Sequence, residues 1–216
     1  YGIDPDKVSS IAKDIAQVSN NNKQICIVVG GGNIFRGVSG ASQGIDRVTA
    51  DGMGMLATVI NALALQNAIE KQKISTRVLS AIPMQTICEP FIKRRAIRHL
   101  NKGRIIILAA GTGNPYFSTD TAATLRAAEM NCEAIFKGTS VDGVYDSDPK
   151  ENSSSKKFST ISYKKVLSEN LKVMDSSAIS LARDNSIPMV VFSILEKNAF
   201  EKAVKGQGSY TVITED

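Results

Sequence analysis

The chain has 216 residues, 43% of them hydrophobic and 22% charged, with no tryptophan, which suffices for one large domain with a continuous core or two small ones. No uninterrupted apolar run reaches the roughly 18 residues of a membrane span, and no basic start followed by an apolar signal-peptide core is present, so the composition points to a protein working in water. Three scattered cysteines, Cys26, Cys88 and Cys132, sit in apolar surroundings and read as free buried thiols rather than a disulfide or zinc framework.

Helix and strand signals alternate along the chain. Asp4 followed by Pro5 predicts a helix start, with Val8, Ile11, Ala12, Ile15 and Val18 at helical spacing. Gln24 to Val29 is a short apolar run ended by glycines and predicts a buried strand. A helix is predicted from about Thr49 to Lys71, then a strand at Arg77 to Ser80.

The net charge of +5 makes the next stretch worth weighing. Lys93, Arg94, Arg95, Arg98, His99, Lys102 and Arg104 alternate with Phe91, Ile92, Ile97 and Leu100, the pattern of an amphipathic helix with a solvated basic face. A site for an anionic effector or partner subunit is the second reading. Nucleic acid ranks third, because no aromatic residues interleave with the charges. His99 is expected to be exposed.

Arg104 to Ala110 predicts a buried strand, Thr119 to Met130 a helix and Ala134 to Lys137 another strand. Asp146 to Ser159, rich in Ser, Asp, Lys and Pro, predicts a mobile surface loop. Helices are then expected at Tyr163 to Leu171 and Ser176 to Asn185, and strands at Met189 to Phe192 and Tyr210 to Thr214. This alternation predicts an α/β fold, a three-layer αβα sandwich with a mainly parallel central sheet, in a single domain spanning 1–216.

In such sheets ligands bind beyond the carboxyl ends of the strands, where three loops stand out. The first, Gly30 to Gly37, reads GGGNIFRG. Its glycines let the backbone approach a phosphate closely, and Arg36 adds a forked cation. Val38-Ser39 replaces the Lys-Ser or Lys-Thr of a Walker A loop, and Phe35 the third glycine of a dinucleotide fingerprint. A plain tight turn is an equal reading of this loop alone.

The second loop, Gly111 to Asp120, carries glycines and hydroxyls into a helix start, a natural anion site. One of Ser118, Thr119 and Asp120 is expected to cap that helix. Two such loops suggest a donor and an acceptor phosphate. The third, Lys137 to Pro149, offers Tyr145 to a base and Asp148 to ribose hydroxyls, although spacing alone favours turns at Asp142-Gly143 and Asp148-Pro149. Asp51, in a glycine-flanked turn near a helix start, would accept from a ribose or cap that helix.

Taken in order, GGGNIFRG, DGMGMLATVINALA, SAIP, AAGTGNPYFSTDTAA, KGTSVDGVYDSDP and LKVMDSSAISLARD resemble the bacterial-type UMP kinase family of the amino-acid kinase superfamily. The resemblance implies transfer of the ATP γ-phosphoryl group to UMP, with Mg²⁺, by a cytoplasmic homohexamer that does not use nucleic acid or a membrane. It places Gly31, Asp51, Thr112, Gly113, Asn114, Pro115, Tyr116, Phe117, Ser118 and Thr119 around UMP. For ATP it implies Gly32, Arg36, Thr139, Tyr145 and Asp148, with Arg36, Asp120 and Lys137 as catalytic groups and no metal-ligating residue of the protein's own. GTP or UTP is a possible effector. The family's N-terminal strand and Lys-x-Ser-Gly type loop would precede Tyr1; a polypeptide without them is expected to fold poorly and to be almost inactive. Two other readings stand beside this one: a superfamily kinase for a small carboxylate or carbamate, and a non-catalytic binding protein on the same scaffold.

Overall fold

The computed structural model describes residues 2–21, 23–37, 40, 44–149, 151–152 and 154–215. Val38 and Ser39, which separate the glycine loop from a Walker A loop, lie outside them, as do Tyr1 and, within the 146–159 segment, Lys150 and Ser153. The chain divides into two compact units, Tyr1–Ala122 and Ala123–Asp216.

Unit 1 opens with α1 (Pro5–Ser19), where the Asp4 side chain accepts the backbone N–H groups of Asp6 and Lys7 and Pro5 fills the first turn. Its buried face is Ala12, Ile15, Ala16 and Val18. The strands are β1 (Cys26–Val28), β2 (Thr76–Ser80), β3 (Glu89–Pro90) and β4 (Ile105–Ala109), in the order β1-β4-β2-β3 and parallel at every pairing. All five residues of β4 are buried, as an apolar run at the centre of a parallel sheet requires.

Between β1 and β2 runs α2 (Arg47–Glu70), capped by Asp46, whose Oδ2 accepts the Thr49 N–H at 3.0 Å. Ala50, Ala57, Val59, Ala62, Leu65 and Ile69 are buried along it, and it packs on α1, β2 and β4. This helix exceeds what the uninterrupted-run criterion detected. An 18-residue stretch has a mean hydropathy of 1.5, long and apolar enough by composition to cross a membrane, and 33% of it is buried within the chain. The basic segment forms α3 (Lys93–Asn101), packed on β4.

His99 departs from expectation. It is buried, its Nε2 lies 3.2 Å from Glu89 Oε2, and Arg104 approaches its Nδ1 at 3.0 Å. The physical reason is local: two charged neighbours supply the polar contacts that make burial tolerable.

The unit boundary falls within α4 (Thr119–Met130). Unit 2 holds β5 (Ile135–Thr139), β8 (Thr160–Ser162), β9 (Met189–Ser193) and β10 (Tyr210–Thr214) in the order β5-β9-β10-β8. Both flanking pairs are parallel and only β9 with β10 is antiparallel. Helices α5 (Tyr163–Ser168), α6 (Ser176–Asp184) and α7 (Ala199–Val204) complete it. Its core gathers Ile135, Ile161, Val166, Ile179, Met189 and Ile213, and the buried Tyr163 donates its hydroxyl to Ile187 O. The mainly parallel α/β architecture expected from the sequence is thus present.

The 146–159 segment is not loop throughout. Lys157–Phe158 forms β7, antiparallel to β6 (Val144–Tyr145). The three cysteines are free; Cys88 is buried, whereas Cys26 and Cys132 are only half-buried. Burial pushes the thiols of Cys88 and Cys132 above their ordinary pKa.

Candidate functional site

The glycine loop leaves the carboxyl end of β1, and its glycines do different things. Gly31 is buried against α2: a Cβ there would lie 2.7 Å from Gly54 O and 2.9 Å from Ala57 Cβ. Only a residue without a side chain lets strand end and helix come that close. Gly32 is exposed, and the three atoms nearest a Cβ on it would all belong to the Arg36 side chain, the closest being Nε at 3.0 Å. Arg36, itself exposed, folds back to donate Nε–H to Gly32 O at 3.3 Å. The backbone N–H groups of Gly31 and Gly32 make no hydrogen bond to another described residue, which leaves them available to an anion.

Asn61 of α2 holds this loop in place. Its Nδ2 donates to Gly30 O at 2.8 Å and to Asn33 Oδ1 at 2.6 Å. Thr58, one turn earlier, accepts the Ala110 N–H at 2.7 Å and donates to Met55 O. One helix therefore pins the ends of both β1 and β4, which are neighbours in the sheet. The two loops meet where Thr119 Oγ1 lies 3.6 Å from the Cβ position of Gly30.

The loop after β4 is shaped by its backbone. Ala110, Gly111, Gly113 and Tyr116 have φ of 62°, 58°, 80° and 70°. Glycine takes such angles freely; Ala110 and Tyr116 need outside support. Ala110 has it from Thr58, and Tyr116 from Asp51 Oδ2, which accepts its N–H at 2.8 Å. Thr112 Oγ1 accepts the Asn114 N–H at 3.1 Å, and Ser118 Oγ accepts that of Thr121 at 3.1 Å, making Ser118 the cap of α4. Asn114, Tyr116 and Phe117 are exposed, while Thr112, Gly113, Pro115, Ser118, Thr119 and Asp120 are half-buried.

Asp51 lies inside α2 rather than in a turn, and Asp46 does the capping that Asp51 was one candidate for. Its Oδ2 also takes Arg47 Nε–H at 2.8 Å, and Arg47 sits 5.3 Å from the centre of the Tyr116 ring. Carboxylate, guanidinium and phenol thus form one cluster at the mouth of the two loops.

In unit 2, Lys137 and Thr139 lie on β5 and are half-buried. Thr139 O accepts the Ile194 N–H at 2.8 Å. Tyr145 ends β6, and its hydroxyl donates to Asp142 Oδ1 at 2.6 Å. That bond first, then burial and the Asp142 charge, push the phenol up to about 12. Asp148 is exposed, and its carbonyl accepts from Glu151 and Asn152 N–H, the turn expected at Asp148-Pro149.

Arg47, Thr58, Asn61, Asp142 and Lys157 escaped the sequence reading. For Thr58 and Asn61 a signal existed: polar side chains interrupt the apolar run of α2 at the spacing of its buried face. Arg47 pairs with Asp51 one turn away and Asp142 with Tyr145 close by in sequence, yet a single charged residue carries no mark of such a pairing, while Lys157 and Ser209 reach Asp142 across 15 and 67 positions.

The amino acid kinase family model matches residues 2–193. A uridylate kinase of Erythrobacter litoralis is 59% identical over 99% of this chain and 90% of its own length. Among solved structures, the UMP kinase from Ureaplasma parvum is 40% identical with a TM-score of 0.94, covering 99% of this chain and 91% of its own. That from Bacillus anthracis is 38% identical with a TM-score of 0.96, covering 100% and 89%.

Proposed function

The chain belongs to the amino acid kinase family, and from that membership we infer that it is a UMP kinase, transferring the γ-phosphoryl group of ATP to UMP to give UDP and ADP. The observation that carries this reading is the meeting of two phosphate-type loops on adjacent parallel strands, at Gly30 and Thr119, in a chain so closely similar to uridylate kinases over its whole length.

For UMP we assign Gly31, Asp51 and the residues from Thr112 to Thr119; for ATP, Gly32, Arg36, Thr139, Tyr145 and Asp148. A non-bridging oxygen of the UMP phosphate attacks the γ-phosphorus of ATP. The new P–O bond forms as the bond to the β,γ-bridging oxygen breaks, and its electron pair leaves with ADP. The nucleophile is already an anion, so no strong base is required. Catalysis consists of alignment and charge neutralisation. Arg36 and Lys137 supply positive charge, the N–H groups of Gly31 and Gly32 supply donors, and Asp120 orients the cations.

Among the described residues no group of three or more His, Cys, Asp or Glu side chains is placed to hold a metal ion. In this proposal Mg²⁺ would accompany the ATP phosphates and offset their charge. A homohexamer in the cytoplasm, open to GTP or UTP as effector, completes the proposal. An ADP-release assay with UMP, CMP and acetylglutamate tests it: UMP is expected to be the preferred acceptor, UDP the product. Preference for acetylglutamate would favour a carboxylate kinase, and no turnover with any acceptor a binding protein.

A further inference from the structure

Three donors from separate segments of unit 2 converge on the carboxylate of Asp142. Its Oδ1 accepts the Tyr145 hydroxyl at 2.6 Å, and its Oδ2 accepts Lys157 Nζ at 2.8 Å together with the Ser209 hydroxyl. Asp142 lies in the turn after β5, Tyr145 ends β6, Lys157 opens β7 and Ser209 immediately precedes β10. One carboxylate thus ties the hairpin to the sheet.

The surroundings leave little freedom. Tyr145 and Lys157 face each other in the hairpin register. A Cβ at Gly143 would fall 2.5 Å from Thr211 Oγ1 and 2.8 Å from Lys157 Cδ, and Thr211 Oγ1 accepts the Val144 N–H at 2.8 Å. With its phenol raised to about 12, Tyr145 remains a donor to Asp142 at any physiological pH. Yet Tyr145 is only half-buried: its polar end is held while part of its surface is left to a ligand.

Resting on the assignment of Tyr145 to ATP, we propose that Asp142 is a positioning residue of the donor-nucleotide pocket, fixing the Tyr145 ring through its hydroxyl before ATP arrives. A ring already held loses less freedom when the base packs on it, so the benefit appears in ATP affinity. Asp142 itself touches neither the phosphates nor UMP in this scheme.

The test is a double-mutant cycle with Asp142→Asn and Tyr145→Phe, read by steady-state kinetics and by equilibrium binding of a non-hydrolysable ATP analogue. Each single change is expected to raise the KM for ATP and the analogue Kd about fivefold, with the change concentrated there rather than in kcat or the KM for UMP. The double variant is expected to be no worse than the poorer single one. Multiplying effects, equal damage to both substrates, or unchanged ATP affinity would overturn the proposal. If Asp142→Asn fails to fold, Tyr145→Phe, which removes one half-buried oxygen, decides alone: an unaltered analogue Kd overturns it. A chain that shows the expected binding pattern but makes no UDP overturns the functional reading instead.

Discussion

The carboxylate of Asp51 accepts the backbone N–H of Tyr116 at 2.8 Å, across 65 positions of sequence, and Tyr116 has a φ of 70°. A side chain from α2 thereby supports an unfavourable backbone conformation in the loop after β4. Asp51 thus has a structural task in addition to the ribose contact assigned to it.

Asp51→Asn keeps the shape and one acceptor oxygen but weakens both the Arg47 pair and the ribose contact. The KM for UMP is expected to rise about tenfold, equivalent to about 1.4 kcal/mol, with the KM for ATP nearly unchanged. Steady-state kinetics with each substrate varied in turn checks this; equal rises would leave Asp51 with the structural task only.

Arg36 is exposed, and its Nε–H reaches back to Gly32 O in its own loop. Arg36→Ala is expected to leave the melting temperature unaltered while lowering kcat/KM by about two orders of magnitude, about 3 kcal/mol of transition-state stabilisation. A variant with wild-type kcat/KM for both substrates would remove Arg36 from the catalytic set.

The adjacent glycines should behave oppositely under thermal denaturation. Gly31→Ala drives a methyl group against Gly54 O and Ala57, an overpacking expected to cost about 1–3 kcal/mol. The nearest neighbours of a methyl group in Gly32→Ala are atoms of the flexible Arg36 side chain, and this variant should melt close to wild type. Similar melting temperatures for the two variants would contradict the close approach of α2 to Gly31.

Asp142 gives a pH prediction. Burial alone would raise its carboxyl, but hydrogen bonds from Lys157, Ser209 and Tyr145, with the Lys157 charge, outweigh that and hold it far below the usual carboxylate range. A depressed folded-state pKa contributes stability that is present above the unfolded value, about 3.9, and is lost as pH falls toward the folded one. The melting-temperature gap between wild type and Asp142→Asn is therefore expected to be constant from pH 7 to about 5 and to narrow below about pH 4. A gap that widened on acidification would reverse the sign of the argument.

Much of this architecture is legible in the sequence because buried parallel strands are continuous apolar runs and the helices between them are long. Thr119–Met130 and Tyr210–Thr214 occur at the expected bounds. What is missed is defined by distant partners. β3 exists because Glu89 pairs with Leu79, and β7 because Phe158 pairs with Val144; no periodicity fits in two residues. The six-residue α7 is likewise not among the expected helices. His99 reads as exposed until Glu89 and Arg104 are seen beside it. At the candidate site, glycines and hydroxyls mark the loops, but which glycine faces a helix and which faces outward depends on packing that residue type does not encode.

The four left-handed residues at 110, 111, 113 and 116 bear on how a nucleotide is discriminated. Two of them, Ala110 and Tyr116, are supported from within the chain, by Thr58 and Asp51. Under the proposed assignment of this loop to UMP, an incoming pyrimidine would meet a backbone already supported at Ala110 and Tyr116. A mismatched base would then gain no compensating rearrangement, and its rejection would be felt as rapid departure rather than as slow entry.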